Sequence, residues 1–170
     1  MQMLAAGGMP VLTDGERKPD EDNPRGYYEW EMIKRLPQQP QCVDAGEGKA
    51  VKVISQLLFA LPGERDYQIL FVERPLPEVL ASQRVMIARR GVSGGQLEAA
   101  QMEAALQAHL NQVKCWLQSR QRASTLFIRH RAVIEEPRPV AEAVRNFLQC
   151  DLAVENMAAQ VTPALYRQRK

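Results

Sequence analysis

The sequence predicts an α/β fold with a mainly parallel sheet flanked by helices. Three short runs rich in aliphatic and aromatic residues have the length of buried strands: residues 50–54, 68–72 and 125–128. Helical patterns separate these runs, and strands that alternate with helices are typical of parallel sheets with crossover connections. We therefore expect the three runs to pair as parallel strands of one sheet.

Length and composition predict a single folded domain, residues 1–170. The chain has 45% hydrophobic and 25% charged residues, close to the average of globular proteins. Its 22 basic and 20 acidic residues give a net charge of +2, which is too balanced for a nonspecific nucleic-acid binder. The widely separated Cys42, Cys115 and Cys150 indicate neither a disulfide framework nor a zinc site, so no metal is expected.

No segment has the pattern of a membrane span or of a secretory signal. The longest nearly uncharged apolar run, residues 53–63, has about half the ~20 residues that a spanning helix needs. The first residues show no basic stretch before an apolar core and no cleavage pattern. We therefore expect a cytoplasmic protein without a membrane span.

The chain opens with a short helix. Residues 1–6 are mostly good helix formers, and Gly7 and Gly8 supply a left-handed stop. This helix has neither an N-cap nor a preceding strand, and a helix of about six residues is marginal alone. The pattern is typical of a domain whose first elements lie upstream.

The remaining elements follow from turn formers and from apolar periodicity. Residues 13–26 combine turn formers with alternating charges and are predicted to form a surface loop. A helix is predicted for residues 27–36, ended by Pro37, and a longer amphipathic helix for residues 96–120. Pro139 suits the first turn of a last helix, whose apolar side carries Val140, Val144, Phe147 and Leu148.

The passage from the second strand into the next helix has the architecture of an anion site. Ligands of open α/β sheets bind beyond the carboxyl ends of strands, where helix N-termini present free N–H groups. Arg74 lies at such an end and can bind two phosphate oxygens at once. Ser82, about two turns along the helix, can donate one hydrogen bond. The alternative for Arg74 is a surface ion pair with a nearby acid.

This segment resembles the 3′-phosphate-binding motif of the P-loop sulfotransferases of bacterial type, in which an Arg and a Ser at this separation bind the donor 3′-phosphoadenosine 5′-phosphosulfate. Further similarity lies in MQMLAAGGMPVLTDGER, in DNPRGYYEWE, and from FIRHRAVIEEPRPVAEAVRNFL to LYRQR. The resemblance implies a P-loop nucleoside-triphosphatase-like core, with Arg74 and Ser82 as the residues that bind the donor.

The same resemblance implies that one part of the fold is missing. In the family, a first strand and a Gly-rich loop hold the 5′-phosphosulfate just before the helix that MQMLAAGG matches, and neither is present in the sequence. The Gly-rich stretch at residues 91–95 lies between helical segments, so we interpret it as an interhelical turn. We therefore expect a core that lacks its first strand and a chain that is inactive by itself.

Sulfuryl transfer needs a base for the proton of the acceptor and positive charge for the oxygens in transfer. Family members use either a His or a Glu as the base. The strand around Lys52 resembles the one that bears this His, but Val53 and Ile54 follow, which excludes a His base there. Glu16 and Glu29 are the candidate catalytic carboxylates, and the alternative for each is a solvated surface acid.

Two basic residues are candidates for a cleft. Arg25, beside a glycine, can contact an anionic ligand or pair with Asp20 or Asp22. Lys52 stands within a predicted strand, where a lysine needs a partner or a ligand. His109 and His130 are interpreted as packing or capping residues.

Aromatic and terminal residues leave further alternatives open. Tyr27, Tyr28 and Trp30 can line an acceptor pocket, stack on an adenine or belong to the core. Helical spacing favours the core for Tyr27 and Trp30. At the C-terminus, a small basic cluster is interpreted as a solvated tail and comprises Arg167, Arg169 and Lys170.

Two functions from different classes are compatible with these features. The first is transfer of a sulfuryl group from 3′-phosphoadenosine 5′-phosphosulfate to a hydroxyl or amine acceptor, with no nucleic acid as a partner. The second is a noncatalytic remnant or interaction module with the same core. A generic P-loop kinase is a weaker alternative, because no Asp-rich metal-binding strand end is apparent.

Overall fold

The computed structural model describes residues 1–20, 23–90 and 99–162. The predicted turn at residues 91–95 and the C-terminal basic cluster lie outside the described residues. The strands are β1 (Val11–Leu12), β2 (Ala50–Val51), β3 (Tyr67–Glu73) and β4 (Ala123–Arg129). The α-helices are α1 (Gln2–Ala6), α2 (Leu76–Arg90), α3 (Ala99–Ser119), α4 (His130–Glu135), α5 (Pro137–Leu148) and α6 (Val154–Ala159). Short 3₁₀ helices span Glu31–Arg35, Pro40–Gly46 and Ser55–Ala60.

The mixed α/β character with parallel pairing is confirmed, but the single sheet is not. β3 and β4 pair in parallel over their full length, from Tyr67 opposite Ala123 to Glu73 opposite Arg129. β2 pairs in parallel with β1 instead, so the described residues form two sheets of two strands each. The partner strand β1 escaped the sequence analysis because it is only two residues long.

The β3–β4 sheet separates two apolar clusters. Side chains of successive strand residues point to opposite faces, so Ile69 and Phe71 enter one cluster and Leu70 enters the other. The first cluster is formed with α1, α5 and α6, and its fully buried members include Ala141 and Met157. The second cluster lies on α3 and the 3₁₀ helices, and Val113 is fully buried there.

β2 takes part in both clusters although it belongs to the other sheet. Ala50 packs against the first cluster, and Val51 and Val53 pack against the second. β2 therefore lies between the same two apolar clusters as β3, while no strand hydrogen bonds join the two sheets among the described residues. This arrangement has the layers of an α/β fold without one continuous sheet.

Residues 27–36 do not form the predicted helix. The stretch has no regular secondary structure up to Trp30 and becomes helical only at Glu31, in a 3₁₀ turn. The carbonyl oxygen of Glu29 accepts hydrogen bonds from Thr13 Oγ1 at 2.8 Å and from the Asp14 amide at 3.3 Å. In the predicted helix this carbonyl would instead accept from an amide of the helix itself. Tyr28 also has a φ of 51°, outside the right-handed helical region.

The terminal helices agree with their sequence signals. α1 ends before Gly7, and Gly8 adopts a φ of 97°, so the left-handed stop is at the second glycine. α5 begins at Pro137, which places Pro139 within the first turn, as expected. α3 is confirmed as a long helix from Ala99 to Ser119 in the part of its predicted range that the structure describes.

Candidate functional site

Arg74 follows the last residue of β3, and Pro75 then leads into α2. Arg74 Nε donates to Glu78 Oε2 at 3.0 Å, and only 25% and 10% of the two side chains are exposed. The ion pair that the sequence allowed as an alternative for Arg74 is therefore present. Because Arg74 stands just beyond a parallel strand, its guanidinium still lies where α/β proteins bind ligands.

Ser82 stands four residues after Glu78 on α2 and is partly buried. Residues four apart share one face of an α-helix, so Ser82 continues the side on which Glu78 holds the arginine. The Arg74 to Ser82 segment has the strand, turn and helix that the sequence predicts. Glu78 was not singled out from the sequence, although its i, i+4 spacing from Arg74 is a signal for such an ion pair.

His130 stands beside this segment because β4 pairs with β3 in register. It follows Arg129, the register partner of Glu73, and opens α4. Burial lowers the pKa of His130, the positive charge of Arg74 lowers it further, and Glu78 acts in the opposite direction. Arg74, Glu78 and His130 form a group that we call the strand-end cluster.

A second cluster forms around Glu29, which is 21% exposed. Its Oε1 atom accepts from Arg17 Nη1 at 2.9 Å and from Lys52 Nζ at 3.2 Å. Lys52 Nζ also donates to the carbonyl of Tyr27 at 3.1 Å, and the guanidinium of Arg17 lies 3.3 Å from the centre of the Tyr27 ring. We call these four residues the front-loop cluster. Lys52 thus has the partner that a lysine at this position needs.

The charges around Glu29 determine its protonation. Burial by itself raises the pKa of Glu29, but hydrogen bonds and charges from Lys52 and Arg17 outweigh it and leave the pKa below the usual value. The carboxylate is therefore ionised at neutral pH and holds two cations. A lowered pKa also weakens a general base.

The other candidates from the loop are placed differently. The Glu16 side chain is exposed, as expected for a solvated acid. Arg25 donates to the Gln160 carbonyl and to Thr162 Oγ1. Asp20 accepts from the hydroxyl of Tyr27. Asp22 lies outside the described residues.

Two shallow cavities lie near these residues. One, of about 270 Å³, is lined by Thr13, Gly15, Arg17, Lys18, Pro19, Arg25, Gly26, Tyr27, Tyr28 and Glu29. The other, of about 330 Å³, is lined by Trp30, Met32, Gln39, Gln41, Cys42 and Ala45. Trp30 also packs against the second apolar cluster, whereas Tyr27 and Tyr28 face the first cavity.

His109 is a packing residue, as predicted, because its ring makes an edge-to-face contact with Phe59. Its Nε2 atom also lies 2.9 Å from Ser55 Oγ, a polar contact that the sequence did not indicate. Sequence reasoning also missed Arg17, which contacts both Glu29 and Tyr27. The sequence marked Arg17 only by the neighbouring acid in TDGER. Its partners Tyr27 and Glu29 lie 10 and 12 residues later, so no local pattern indicates them.

The Met1 amino group lies within electrostatic reach of Lys52. Burial lowers the pKa of this amino group, and the charge of Lys52 lowers it further. No helix in the described ranges is long and apolar enough to cross a membrane. The same ranges contain no group of three potential metal ligands. Searches against protein-family models, curated proteins and solved structures found no match to this chain.

Proposed function

We propose that this chain is a sulfotransferase-like protein that binds the 3′-phosphate of 3′-phosphoadenosine 5′-phosphosulfate at the strand-end cluster. The observation that carries the proposal is the position of Arg74 directly after a parallel strand, with Ser82 one turn beyond Glu78 on the same face of α2. A guanidinium and a hydroxyl at a strand end suit a dianionic phosphate. In the bound state the phosphate competes with Glu78 for Arg74.

The sheet supports the finer assignment, a P-loop-like core that lacks its first strand. β2 and β3 belong to separate parallel pairs, yet both pack into the same two apolar clusters. One more parallel strand between them would join the pairs into one sheet. It would also supply partners for backbone groups that β3 turns away from β4.

The front-loop cluster would serve the acceptor side. Lys52 and Arg17 supply the positive charge that oxygens in transfer require, and Glu29 holds both cations in place. Glu29 would take the acceptor proton only as a weak base, because these two cations lower its pKa. The donor and the acceptor are small molecules in this proposal, and no metal takes part.

A noncatalytic interaction module is the alternative, and one observation favours it. Arg74 and Glu29 already have oppositely charged partners inside the chain. Satisfied ion pairs of this kind can be purely structural, and binding an anion at Arg74 must offset the contact that Glu78 loses.

Calorimetry with two nucleotides separates these functions. We expect 3′-phosphoadenosine 5′-phosphate to bind more tightly than adenosine 5′-phosphate, which lacks the 3′-phosphate. Arg74→Ala should weaken only the former, by about 1.5–3 kcal/mol, the range for hydrogen bonds to charged groups. Ser82→Ala should have a smaller effect in the same direction.

The matched control is Arg138→Ala, because Arg138 is exposed and pairs with acids on α5 and α6. This variant should bind both nucleotides like the wild type. Equal affinity of the wild type for the two nucleotides would show that Arg74 does not bind the 3′-phosphate. Binding of neither would favour the interaction module.

A further inference from the structure

A serine and a histidine lie in hydrogen-bond contact where the 3₁₀ helix Ser55–Ala60 packs against α3. Ser55 Oγ lies 2.9 Å from His109 Nε2, although the two residues are 54 positions apart in the chain. A hydroxyl becomes a nucleophile when a neighbouring base takes its proton, and this transfer needs a distance of about 2.6–3.2 Å. The pair therefore has the geometry of an activated serine, and it belongs neither to the strand-end cluster nor to the front-loop cluster.

Aromatic packing fixes the direction of the histidine ring. The Phe59 ring contacts His109 edge-on, with 6.0 Å between the ring centres, and contacts Trp116 in the same way at 5.6 Å. His109 and Trp116 are two helical turns apart on α3, so the Phe59 ring lies between two side chains of one helix face. A nucleophile and its base usually need a third group that orients the base. Phe59 supplies this orientation by contact, without the negative charge of a carboxylate.

The surroundings of the pair are apolar and open to solvent. Ile54 is 56% exposed and Phe59 is 43% exposed, which is unusual for side chains of this size. Ser55 and His109 are themselves partly exposed, so a ligand can reach the hydroxyl. Residues 53–61 contain no charged side chain. A neutral, apolar group suits these surroundings better than an anion does.

The side-chain amide of Gln56 lies beside the same hydroxyl. Its Oε1 atom is 3.4 Å from Ser55 Oγ, and the side chain is exposed, so the amide has room to turn. Half a rotation of the amide brings its Nε2 donor to the same place. Side-chain amides in such positions stabilise the negative oxygen of acyl-transfer intermediates. A nucleophile, a base and a donor for the developing charge are thus all found around Ser55.

We propose that Ser55 and His109 form a catalytic pair that hydrolyses neutral carboxylic esters with a short apolar acyl group. His109 Nε2 takes the hydroxyl proton while Ser55 Oγ forms a bond to the carbonyl carbon. The ester C–O bond then breaks, and His109 gives the proton to the leaving alcohol. Water, whose proton passes to His109, attacks the acyl group, so that the carboxylic acid leaves and the serine is restored. This activity is independent of the proposed sulfotransferase function.

Labelling with an alkyl fluorophosphonate tests whether Ser55 is activated. The serine oxygen forms a bond to phosphorus, fluoride leaves, and the hydroxyl proton passes to His109. Trypsin cleavage after Lys52 and Arg65 releases residues 53–65, in which Ser55 is the only residue with a hydroxyl group. We expect mass spectrometry to find the phosphonyl adduct on this peptide. Absence of the adduct under conditions that label a serine esterase would overturn the proposal.

Two substitutions of His109 test the base. His109→Gln and His109→Phe both remove the imidazole, and the second retains a ring against Phe59. We expect each variant to label Ser55 about 100-fold more slowly, the lower end of what a general base contributes. Gln107→Ala is the control on α3, because Gln107 is exposed and donates to Asn111, and it should label like the wild type. Labelling at the wild-type rate in either histidine variant that is folded by circular dichroism would overturn the role of His109.

Hydrolysis of 4-nitrophenyl butyrate shows whether the acylated serine turns over. We expect the wild type to release nitrophenol continuously, and Ser55→Ala to lower this rate by about ten-fold or more. Ser119→Ala is the control, because Ser119 is exposed and donates to the Trp116 carbonyl, and it should retain the wild-type rate. Equal rates for the wild type and Ser55→Ala, or labelling of Ser55 without turnover, would overturn the hydrolytic function.

Discussion

Glu29 connects the front loop to the strand β2 through two cations. Arg17 lies 12 residues before it and Lys52 23 residues after it, so the loop and the strand are held together by one carboxylate. The pKa of Glu29 is lowered overall, which means that folding favours its ionised form. Glu29 is therefore a stabilising residue whatever its role toward an acceptor.

The first residue-scale prediction is that Glu29→Gln destabilises the chain at pH 7 by about 1–2 kcal/mol. The range is that of partly exposed charge-assisted hydrogen bonds, and the substitution leaves Arg17 and Lys52 without their shared counter-charge. Denaturant unfolding measures this difference. Glu16→Gln is the matched control, since the Glu16 side chain is exposed, and it should change the free energy of unfolding by less than about 0.5 kcal/mol.

The pH dependence of the Glu29→Gln effect has a defined sign. A carboxyl with a lowered folded-state pKa contributes stability above its unfolded pKa and loses it as the pH falls through the folded value. The difference between wild type and variant should thus be complete at neutral pH and shrink below the usual glutamate pKa of about 4.3. A difference that grows in acid would contradict the assigned ion pairs.

Local sequence signals explain which residues of the site were found. Arg74 was identified because strand, turn and helix patterns adjoin within one short segment. The partners of Glu29 were not identified, because no local periodicity relates a loop residue to Arg17 or Lys52. The place of Arg25 was missed for the same reason, since its partners Gln160 and Thr162 stand far along the chain.

At the scale of elements, α1 and α6 are joined by a close approach. The Gly7 carbonyl accepts from the Ala153 amide at 3.0 Å, just before α6 begins. A methyl group on Gly7 would lie 2.6 Å from Met157 Cγ and 2.9 Å from its Sδ atom, inside van der Waals contact. Because Met157 is fully buried, it has no open space to move into.

We therefore expect Gly7→Ala to lower the free energy of unfolding by about 1–3 kcal/mol, as overpacked core positions do. The same substitution at Gly63 is the control, because the nearest atom there would lie 3.9 Å away and belongs to the side chain of Arg120. It should be neutral or slightly stabilising. Equal melting temperatures of the two variants would show that α1 and α6 are not packed this closely.

The elements differ in how well they follow their own patterns. β3, β4, α3 and α5 were predicted because each carries enough residues for its periodicity to be read. The apolar residues of 27–36 have a helical spacing too, yet Thr13 and Asp14 donate hydrogen bonds to the Glu29 carbonyl. In that segment contacts with the loop override a local preference.

At the scale of the whole molecule, β3 has a strand on one side only among the described residues. The Tyr67 amide donates to the Arg122 carbonyl, on the side of β4. Backbone N–H and C=O groups point to alternate sides along a strand. Those of Gln68, Leu70 and Val72 therefore point away from β4. Val72 is also 54% exposed. Such an edge, apolar and seven residues long, is a template for pairing with another chain.

The whole-molecule prediction is that the chain self-associates through this edge. Sedimentation velocity at increasing protein concentration should show larger species, and Val72→Lys should suppress them, because a charged edge strand resists pairing. Met32→Lys is the control, since Met32 is also exposed and lies on a 3₁₀ helix, not on a strand edge. Equal suppression by both variants would assign the association to general apolar exposure instead.

The sequence by itself determined the α/β character, the main strands and helices, and the place of Arg74 at a strand end. These features depend on the spacing of apolar residues and on turn formers, which act over a few neighbouring residues. Only the tertiary structure decided that β2 pairs with β1, and that Glu29 holds both Arg17 and Lys52. Strand partners and ion pairs are chosen by contacts between distant parts of the chain, whose free energy no local pattern records.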